Sequence, residues 1–210
     1  MYPLKTHHLT IADRSITLDV PAEPEALLAE AAASDVPGDP YWGILWPAAV
    51  PTAECILRHS WRPNARALEV GCGVGLIGIT GLLAGLHVTF SDYVPDAVRL
   101  ARHNAAQNGF PHAAGRTLDW RDTVTDRFDY LLASDVLYDR DQHAALLQFA
   151  RTTLADGGSF WIGDPGRGAA TEFVTQAAAF CQVQFRNRQL QPQDGLVHGQ
   201  FRLIILTPDR

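Results

Sequence analysis

The stretch "LEVGCGVGLIG", residues 68–78, joins a short apolar run to a chain of glycines. The first three glycines form the pattern G-x-G-x-G behind the acidic Glu69, whereas the last three form G-x-G-x-x-G, the dinucleotide-binding fingerprint. The glycines are Gly71, Gly73, Gly75 and Gly78. A glycine loop between a strand and a helix permits close backbone approach to a ligand, and the helix start favours polar or anionic groups. Both patterns therefore predict a nucleotide-like ligand, and its identity has to be inferred from neighbouring residues.

Length and composition indicate an ordinary globular class. A chain of 210 residues with 47% hydrophobic and 19% charged residues suits one domain. No apolar run approaches the ~20 residues of a membrane-spanning helix. The amino-terminal stretch "MYPLKTHHLTIADR" lacks the apolar segment of a signal peptide. We therefore expect a cytoplasmic protein without a membrane partner, and among oligomeric states we favour a monomer.

Charge and cysteine content argue against several other classes. A net charge of −6 opposes binding to the phosphates of nucleic acids, so a nucleic acid partner is disfavoured. Cys55, Cys72 and Cys181 are far apart and form no C-x-x-C pair, which favours buried thiols over a disulfide framework or a zinc site. The eight histidines show no spacing typical of metal ligands, and we expect no bound metal.

Residues 1–62 form an amino-terminal extension that differs from the rest of the chain. Alternating residues predict two strands joined at Asp13 and Arg14. The run 24–34 is rich in alanine and begins with a proline, which predicts a helix. The following stretch, "DVPGDPYWGILWP", is a loop interrupted by proline and glycine that carries three aromatic residues.

Residues 63–210 alternate between strand and helix patterns. Such alternation predicts a parallel sheet covered by helices on both faces. The last two β-rich runs, 181–190 and 199–208, are separated by a polar loop too short for a crossover helix, so they should pair as an antiparallel hairpin. We therefore predict an α/β fold: a doubly wound, mostly parallel, seven-stranded, Rossmann-like sheet that ends in this hairpin.

Three features separate the two interpretations of the glycine loop. Glu69 lies two residues before the first glycine, and a carboxylate there suits a cationic ligand better than a pyrophosphate. S-adenosylmethionine carries both a sulfonium and an ammonium. Asp92, at the end of the next predicted strand, suits ribose hydroxyls of either ligand. The closing hairpin is absent from the usual dinucleotide fold, so the balance favours S-adenosylmethionine.

The sequence from about residue 39 onward resembles the class I, seven-β-strand S-adenosylmethionine-dependent methyltransferases. The resemblance rests on "DPYWGILWPAA", "LEVGCGVGLIGI", "VTFSDY", "LDW", "FDYLLASDVLY" and "DGGSFWIGDPGR", which follow the family's order. The "LWP", "LDW" and "SDVLY" set is similar to the branch that contains non-histone protein-lysine methyltransferases and their bacterial relatives. No Tyr-x-x-x-Lys pair of the short-chain dehydrogenases occurs in the chain.

The resemblance implies a cofactor site at the carboxyl edge of the sheet. Glu69 would face the methionine end of S-adenosylmethionine, Asp92 would accept the ribose hydroxyls, and Trp46 would lie over the cofactor. The other residues implied are Gly71, Gly73, Gly75, Tyr93, Asp119, Trp120 and Ser134. Each has a structural alternative: the glycines could form a tight turn, Glu69 could bind loop amides, and the aromatic residues could pack in the core.

Asp135 and Tyr138 form a D-x-x-Y pattern after the fourth core strand, and we predict them as the catalytic pair. Asp135 would hold the methyl acceptor by hydrogen bonding, while Tyr138 would shape the pocket. We do not assign Asp135 as a general base, because a carboxylate beside an ammonium raises the ammonium pKa. A helix-capping aspartate beside an exposed tyrosine is the alternative. Contact of Trp42 and Arg167 with substrate is left open, since Arg167 could instead pair with a neighbouring acid.

These residues predict an S-adenosylmethionine-dependent methyltransferase that acts on a protein lysine side chain. A small-molecule N- or O-methyltransferase is the main alternative, so the partner is a protein substrate or a small molecule. A non-enzymatic cofactor-binding module and an NAD-dependent dehydrogenase are further alternatives. A DNA adenine methyltransferase would carry D/N-P-P-Y/F after the fourth strand, where this chain has "SDVLY".

Overall fold

The computed structural model describes residues 2–26 and 40–209 of the chain. Its first two strands, β1 (Leu4–Ile11) and β2 (Arg14–Pro21), form a separate antiparallel hairpin. The chain turns through Ala12 and Asp13, which both have positive φ. The helix predicted over 24–34 begins with helical residues 24–26, and the remainder of that prediction lies outside the described residues.

The main sheet contains eight strands, and its parallel part confirms the predicted α/β fold. The strands are β3 (Arg66–Val70), β4 (His87–Asp92), β5 (Ala114–Thr117), β6 (Phe128–Ser134), β7 (Leu154–Asp164), β8 (Cys181–Arg186), β9 (Pro192–Gln193) and β10 (Arg202–Pro208). Their order is β5-β4-β3-β6-β7-β10-β8-β9. Strands β3 to β7 pair in parallel. The chain winds outward in opposite directions from β3 and β6, and ligands bind at such a switch point.

The carboxyl-terminal hairpin is confirmed, with one addition. Strand β10 pairs antiparallel with β8, and Leu206 lies opposite Val183. It also pairs antiparallel with β7, so the last strand of the chain lies between β7 and β8. The prediction of seven strands missed β9, a two-residue strand whose Gln193 lies opposite Phe185. That segment carries no apolar alternation, and only pairing with β8 makes it a strand.

Helices cover both faces of the sheet, as predicted. They are α1 (Ala49–Arg58), α2 (Leu76–Leu83), α3 (Pro95–Gln107), α4 (His143–Thr153) and α5 (Gly168–Ala177), with short 3-10 helices at Pro40–Gly43 and Arg140–Gln142. Along β10, Leu203 and Ile205 pack into the core with α1, α2 and α3, whereas Ile204 and Leu206 pack with α4 and α5. None of the helices in the described part of the chain is both long and apolar enough to cross a membrane.

The amino-terminal hairpin is fixed to the core by two asparagines of the α3 region. The Asn104 side chain accepts a hydrogen bond from the Asp19 backbone amide and donates one to the Asp19 carbonyl, both at 2.9 Å. Asn108 makes the same pair of bonds with Thr17, at 2.9 and 2.7 Å. These bonds satisfy backbone groups that would otherwise be buried without partners. A boundary at residue 62 between extension and core stays a prediction.

Packing of α1 on β7 requires a glycine at position 163 of the strand. A Cβ atom at Gly163 would lie 1.6 Å from Thr52 Oγ1 and 2.9 Å from Thr52 Cβ. Gly163→Ala should therefore lower the free energy of unfolding by about 1–3 kcal/mol, the usual cost of overpacking a core.

Gly168→Ala is the matched control for thermal and urea unfolding. A Cβ at Gly168, the first residue of α5, has open space around it, so this variant should change the free energy of unfolding by no more than about 0.5 kcal/mol. Equal melting temperatures for the two variants would contradict the described contact between α1 and β7.

Candidate active site

A cavity of about 430 Å³ lies at the carboxyl edge of the parallel strands. Glu69 of β3, Asp92 of β4 and Ser134 of β6 all line it, so it lies at the switch point of the sheet. Every residue predicted for the site contributes to this lining except Gly75: Trp46, Glu69, Gly71, Gly73, Asp92, Tyr93, Asp119, Trp120, Ser134, Asp135 and Tyr138. Residues from five separate stretches of the sequence thus meet around one cavity.

The glycine loop presents bare backbone to this cavity. Gly71 and Gly73 have φ values of +66° and +48°, a region that favours glycine. A Cβ at Gly73 would lie 2.8 Å from the carbonyl oxygen of Trp42. The loop and the segment of Trp42 are therefore in direct backbone contact across the cavity edge.

Gly75 has a structural role instead of a place in the cavity. It precedes α2 with φ +87°, and a Cβ there would lie 2.7 Å from the Ala101 Cβ. The glycine lets the start of α2 pack against α3. Gly75 is not among the residues that line the cavity, and a role beside the ligand stays a prediction.

Asp92 connects the glycine loop to the start of α3. Its Oδ2 accepts a hydrogen bond from the Gly73 amide at 3.0 Å, and its Oδ1 accepts one from the Val94 amide at 3.0 Å. The side chain is buried yet lines the cavity. The carboxylate is therefore held at the cavity by two backbone amides.

Glu69 places a buried carboxyl group beside the cavity. Burial raises its pKa well above the ordinary value, and the charge of Asp92 adds to this rise, whereas the amides of Gly78 and Ile77 oppose it. Despite those nearby amides, Oε2 makes no hydrogen bond of ordinary geometry with the described residues. A buried carboxyl with an unsatisfied oxygen suits a cationic group.

The raised pKa of Glu69 predicts how stability depends on pH. The unfolded side chain loses its proton near its ordinary pKa of 4.5, while the folded side chain keeps it to higher pH. The contribution of Glu69 to the free energy of unfolding is therefore greatest below the unfolded pKa. It falls as pH rises toward the folded pKa, by about 1.4 kcal/mol per pH unit.

Urea unfolding over a pH series should show this slope in the wild-type chain and lose it in Glu69→Gln. Glu172→Gln is the control, because Glu172 is an exposed partner of Arg140. Parallel pH dependences for the wild type and Glu69→Gln would contradict the described burial of Glu69.

The "LDW" segment, residues 118–120, also lines the cavity. Asp119 accepts hydrogen bonds from the backbone amide and the Nε of Arg121, both at 2.9 Å, and this pairing lowers the Asp119 pKa. The Trp120 ring nitrogen lies 3.4 Å from the Gln142 side-chain oxygen. Asp119 is thus held by a bond to a near neighbour in the sequence and Trp120 by one to a residue 22 positions away, and both are half-buried.

Aromatic side chains surround the exposed rim of the cavity. The Tyr41 ring centroid lies 5.7 Å from that of Trp46 and 6.4 Å from that of Tyr138. The Trp46 ring nitrogen donates to the Tyr41 carbonyl at 3.0 Å. Tyr41 and Tyr138 are 43% and 47% exposed, which places them at the entrance. The prediction omitted Tyr41, although its position in "DPYWGILWP" was a usable signal.

Asp135 is more constrained than its sequence pattern suggests. It has a φ of +63°, and its carboxylate is almost completely buried. Its Oδ2 accepts hydrogen bonds from the Ala48 amide and the Ser134 hydroxyl, both at 2.9 Å. Its Oδ1 lies 2.7 Å from Arg167 Nη1. Ala48 directly precedes α1, so Asp135 binds the amide at the start of that helix, 87 residues away in the sequence, and Arg167 does pair with a neighbouring acid.

Comparison with known proteins identifies the family. A family model described as "Lysine methyltransferase" matches residues 36–166, more than half of the chain. The chain belongs to the lysine methyltransferase family. This membership confirms the predicted class I S-adenosylmethionine-dependent methyltransferase and removes the dehydrogenase interpretation of the glycine loop.

Individual relatives of this lysine methyltransferase family member match over shorter ranges. The "Protein N-lysine methyltransferase METTL21A" of Mus musculus is 34% identical over 90 residues, which cover 39% of this chain and 41% of that protein. The "Histidine protein methyltransferase 1 homolog" of Dictyostelium discoideum is 33% identical over 104 residues, covering 46% of this chain and 34% of that protein. The chain thus spans less than half the length of these curated relatives.

Solved structures confirm the fold of the family member. The N-methyltransferase NodS from Bradyrhizobium japonicum WM9, in complex with S-adenosylhomocysteine, superposes with a TM-score of 0.63 at 19% identity, covering 89% of this chain and 98% of NodS. A TehB-like S-adenosylmethionine-dependent methyltransferase from Corynebacterium glutamicum gives 0.64 at 20% identity, covering 90% of this chain and all of that one.

Proposed function

We propose that the chain transfers a methyl group from S-adenosylmethionine to a lysine side chain of a protein. The observation that carries this proposal is the cavity itself: it is lined by the family's motif residues, and Tyr41 and Tyr138 lie side by side at its exposed rim. A lysine side chain is long enough to reach inward from a protein surface, and aromatic rings accommodate its aliphatic stem and attract its ammonium.

The residues around the cavity fit S-adenosylmethionine. A volume of about 430 Å³ lies within the ~300–1,000 Å³ usual for small-molecule sites. Gly71 and Gly73 expose backbone to the ligand, and Glu69 offers an unsatisfied buried oxygen to a cationic group. Asp92 would accept ribose hydroxyls. Tyr93, Asp119, Trp120 and Trp46 would enclose the base, and Ser134 would lie beside the cofactor.

Methyl transfer to an amine makes modest demands on the protein. S-adenosylmethionine supplies a methyl group on an activated leaving group, so the chain has to hold the acceptor nitrogen in line and exclude water. We propose that Asp135 accepts a hydrogen bond from the amine and that Tyr138 closes the pocket around it. The amine must first lose its proton, because its unperturbed pKa is about 10.4. We assign that proton to solvent, since Asp135 is already paired with Arg167.

Incubation with methyl-labelled S-adenosylmethionine and lysate of the source cells tests this function. Label in protein, released as methyl-lysine on hydrolysis, would support it. Methyl-histidine, labelled nucleic acid or a labelled small molecule would each replace lysine as the acceptor. Cofactor binding without any label would favour a binding module. The Asp92→Ala chain serves as the negative control in the same lysate.

A further inference from the structure

The segment "DPGR", residues 164–167, forms a turn that fixes one arginine next to the cavity. Asp164 Oδ1 accepts hydrogen bonds from the amides of Gly166 and Arg167, both at 2.7 Å. Gly166 has a φ of +92°, and a Cβ there would lie 2.5 Å from the Gln200 amide nitrogen. The backbone of Arg167 is therefore held firmly where α5 begins.

The Arg167 side chain extends from this turn to two groups of the site. Its Nη1 lies 2.7 Å from Asp135 Oδ1, and its Cζ lies 5.9 Å from the centre of the Trp46 ring. Its own turn residue, Asp164, is farther away, with Oδ2 at 3.8 Å from Nη1. The Arg167 side chain is 23% exposed and that of Asp135 is 3% exposed. The ion pair is thus largely removed from water, where losing one partner is costly.

Asp135 connects Arg167 to residues 41–48, which form an aromatic wall of the cavity. Its Oδ2 accepts the hydrogen bond of the Ala48 amide at 2.9 Å, two residues after Trp46. Residues 41–49 supply a large part of the cavity lining: Tyr41, Trp42, Ile44, Leu45, Trp46 and Ala49. On the other side, the Trp42 carbonyl contacts the glycine loop at Gly73. The wall is therefore held at both ends. Trp42 packs against the glycine loop at one end, and at the other Ala48 is bonded to Asp135, which pairs with Arg167.

We propose that Arg167 is a positioning residue for the cofactor site: through Asp135 it fixes the aromatic wall 41–48, and thereby sets the affinity for the cofactor. Arg167 does not line the cavity itself. Without the guanidinium, Asp135 would be a buried carboxylate without its counter-charge, and it would have to reorient toward water. This change weakens its bond to Ala48 and releases the wall. The inference rests on the cofactor class of the family and is independent of the acceptor.

Binding of S-adenosylhomocysteine, measured by calorimetry, tests this inference in the full chain. Arg167→Gln should weaken binding at least about tenfold, a free-energy change of ~1.4 kcal/mol. Arg167→Lys keeps the positive charge and should recover part of that loss. Asp135→Asn with Arg167→Gln should weaken binding no more than the worse single variant, because the two residues act as one unit.

Fluorine NMR of chains grown with 5-fluorotryptophan supplies a readout that global destabilisation does not mimic. The Trp46 resonance, assigned with Trp46→Phe, should shift in Arg167→Gln. The resonances of Trp61 and Trp161 should not move, because those rings form a separate cluster with Tyr130. If Arg167→Gln does not fold, the same two measurements on Arg167→Lys decide, with a smaller loss of affinity and a shifted Trp46 signal expected.

Arg188→Gln is the matched control. Arg188 pairs with Glu54 of α1, so this variant also removes an arginine–carboxylate pair next to α1, but neither of these residues lines the cavity. Unchanged affinity in Arg167→Gln, an unmoved Trp46 resonance, or an equal loss in Arg188→Gln would overturn the inference. Because no acceptor is used, these outcomes are separate from a failure of lysine methylation, which the labelling experiment reports.

Discussion

Asp135→Asn is expected to lower the rate of methyl transfer about a hundredfold, a loss of ~3 kcal/mol of transition-state stabilisation. Asparagine keeps the size of the side chain and one oxygen that can still accept the Ala48 amide hydrogen bond. It loses the negative charge that pairs with Arg167 and that we propose to hold the acceptor amine. The rate should be measured at saturating cofactor, because the broken ion pair also lowers cofactor affinity.

Two further variants serve as comparisons for the rate of Asp135→Asn. Asp126→Asn removes a carboxylate that pairs with Arg116 on the surface, away from the cavity, and should leave the rate unchanged. Tyr138→Phe should reduce the rate less than Asp135→Asn, since the ring remains at the entrance. An unaltered rate in Asp135→Asn at saturating cofactor would assign Asp135 to capping α1 and remove it from the catalytic pair.

Asp92→Ala is expected to weaken the binding of S-adenosylmethionine and S-adenosylhomocysteine at least about tenfold. The variant removes a partner for charge-assisted hydrogen bonds, each worth roughly 1.5–3 kcal/mol. It also removes the acceptor for the Gly73 amide, so the glycine loop loses its anchor. Calorimetry with S-adenosylhomocysteine measures the change.

The control for Asp92→Ala is Asp96→Ala. Asp96 lies four residues onward, in the first turn of α3, and pairs with Arg99 outside the cavity. Its loss should leave cofactor affinity within about twofold, since exposed ion pairs contribute little. Undiminished binding by Asp92→Ala would contradict the ribose role of Asp92, and tight binding of NAD by the wild type would contradict the cofactor assignment.

Features that depend on neighbours in the sequence were predictable from it. The strand and helix periods gave the parallel core, and a loop too short for a crossover gave the antiparallel pairing of β8 with β10. The glycine loop followed from residues that tolerate positive φ, as Gly71 and Gly73 do. Resemblance of the motifs added the cofactor class, which family membership confirms. The strands, the helices and the loop depend on local backbone preference and on the spacing of apolar residues, both of which can be seen in the sequence.

Only the tertiary structure decided how the candidate residues divide their roles. Gly75 packs against Ala101 of α3, and Asp135 joins Ala48 and Arg167, which are 87 and 32 residues away in the chain. The entrance formed by Tyr41 and Tyr138 likewise combines two distant segments. The reason is physical: burial, ion pairing and ring contacts depend on where strands and loops meet in space. The sequence therefore determined the class of ligand site, and tertiary packing determined which of its residues contact one another.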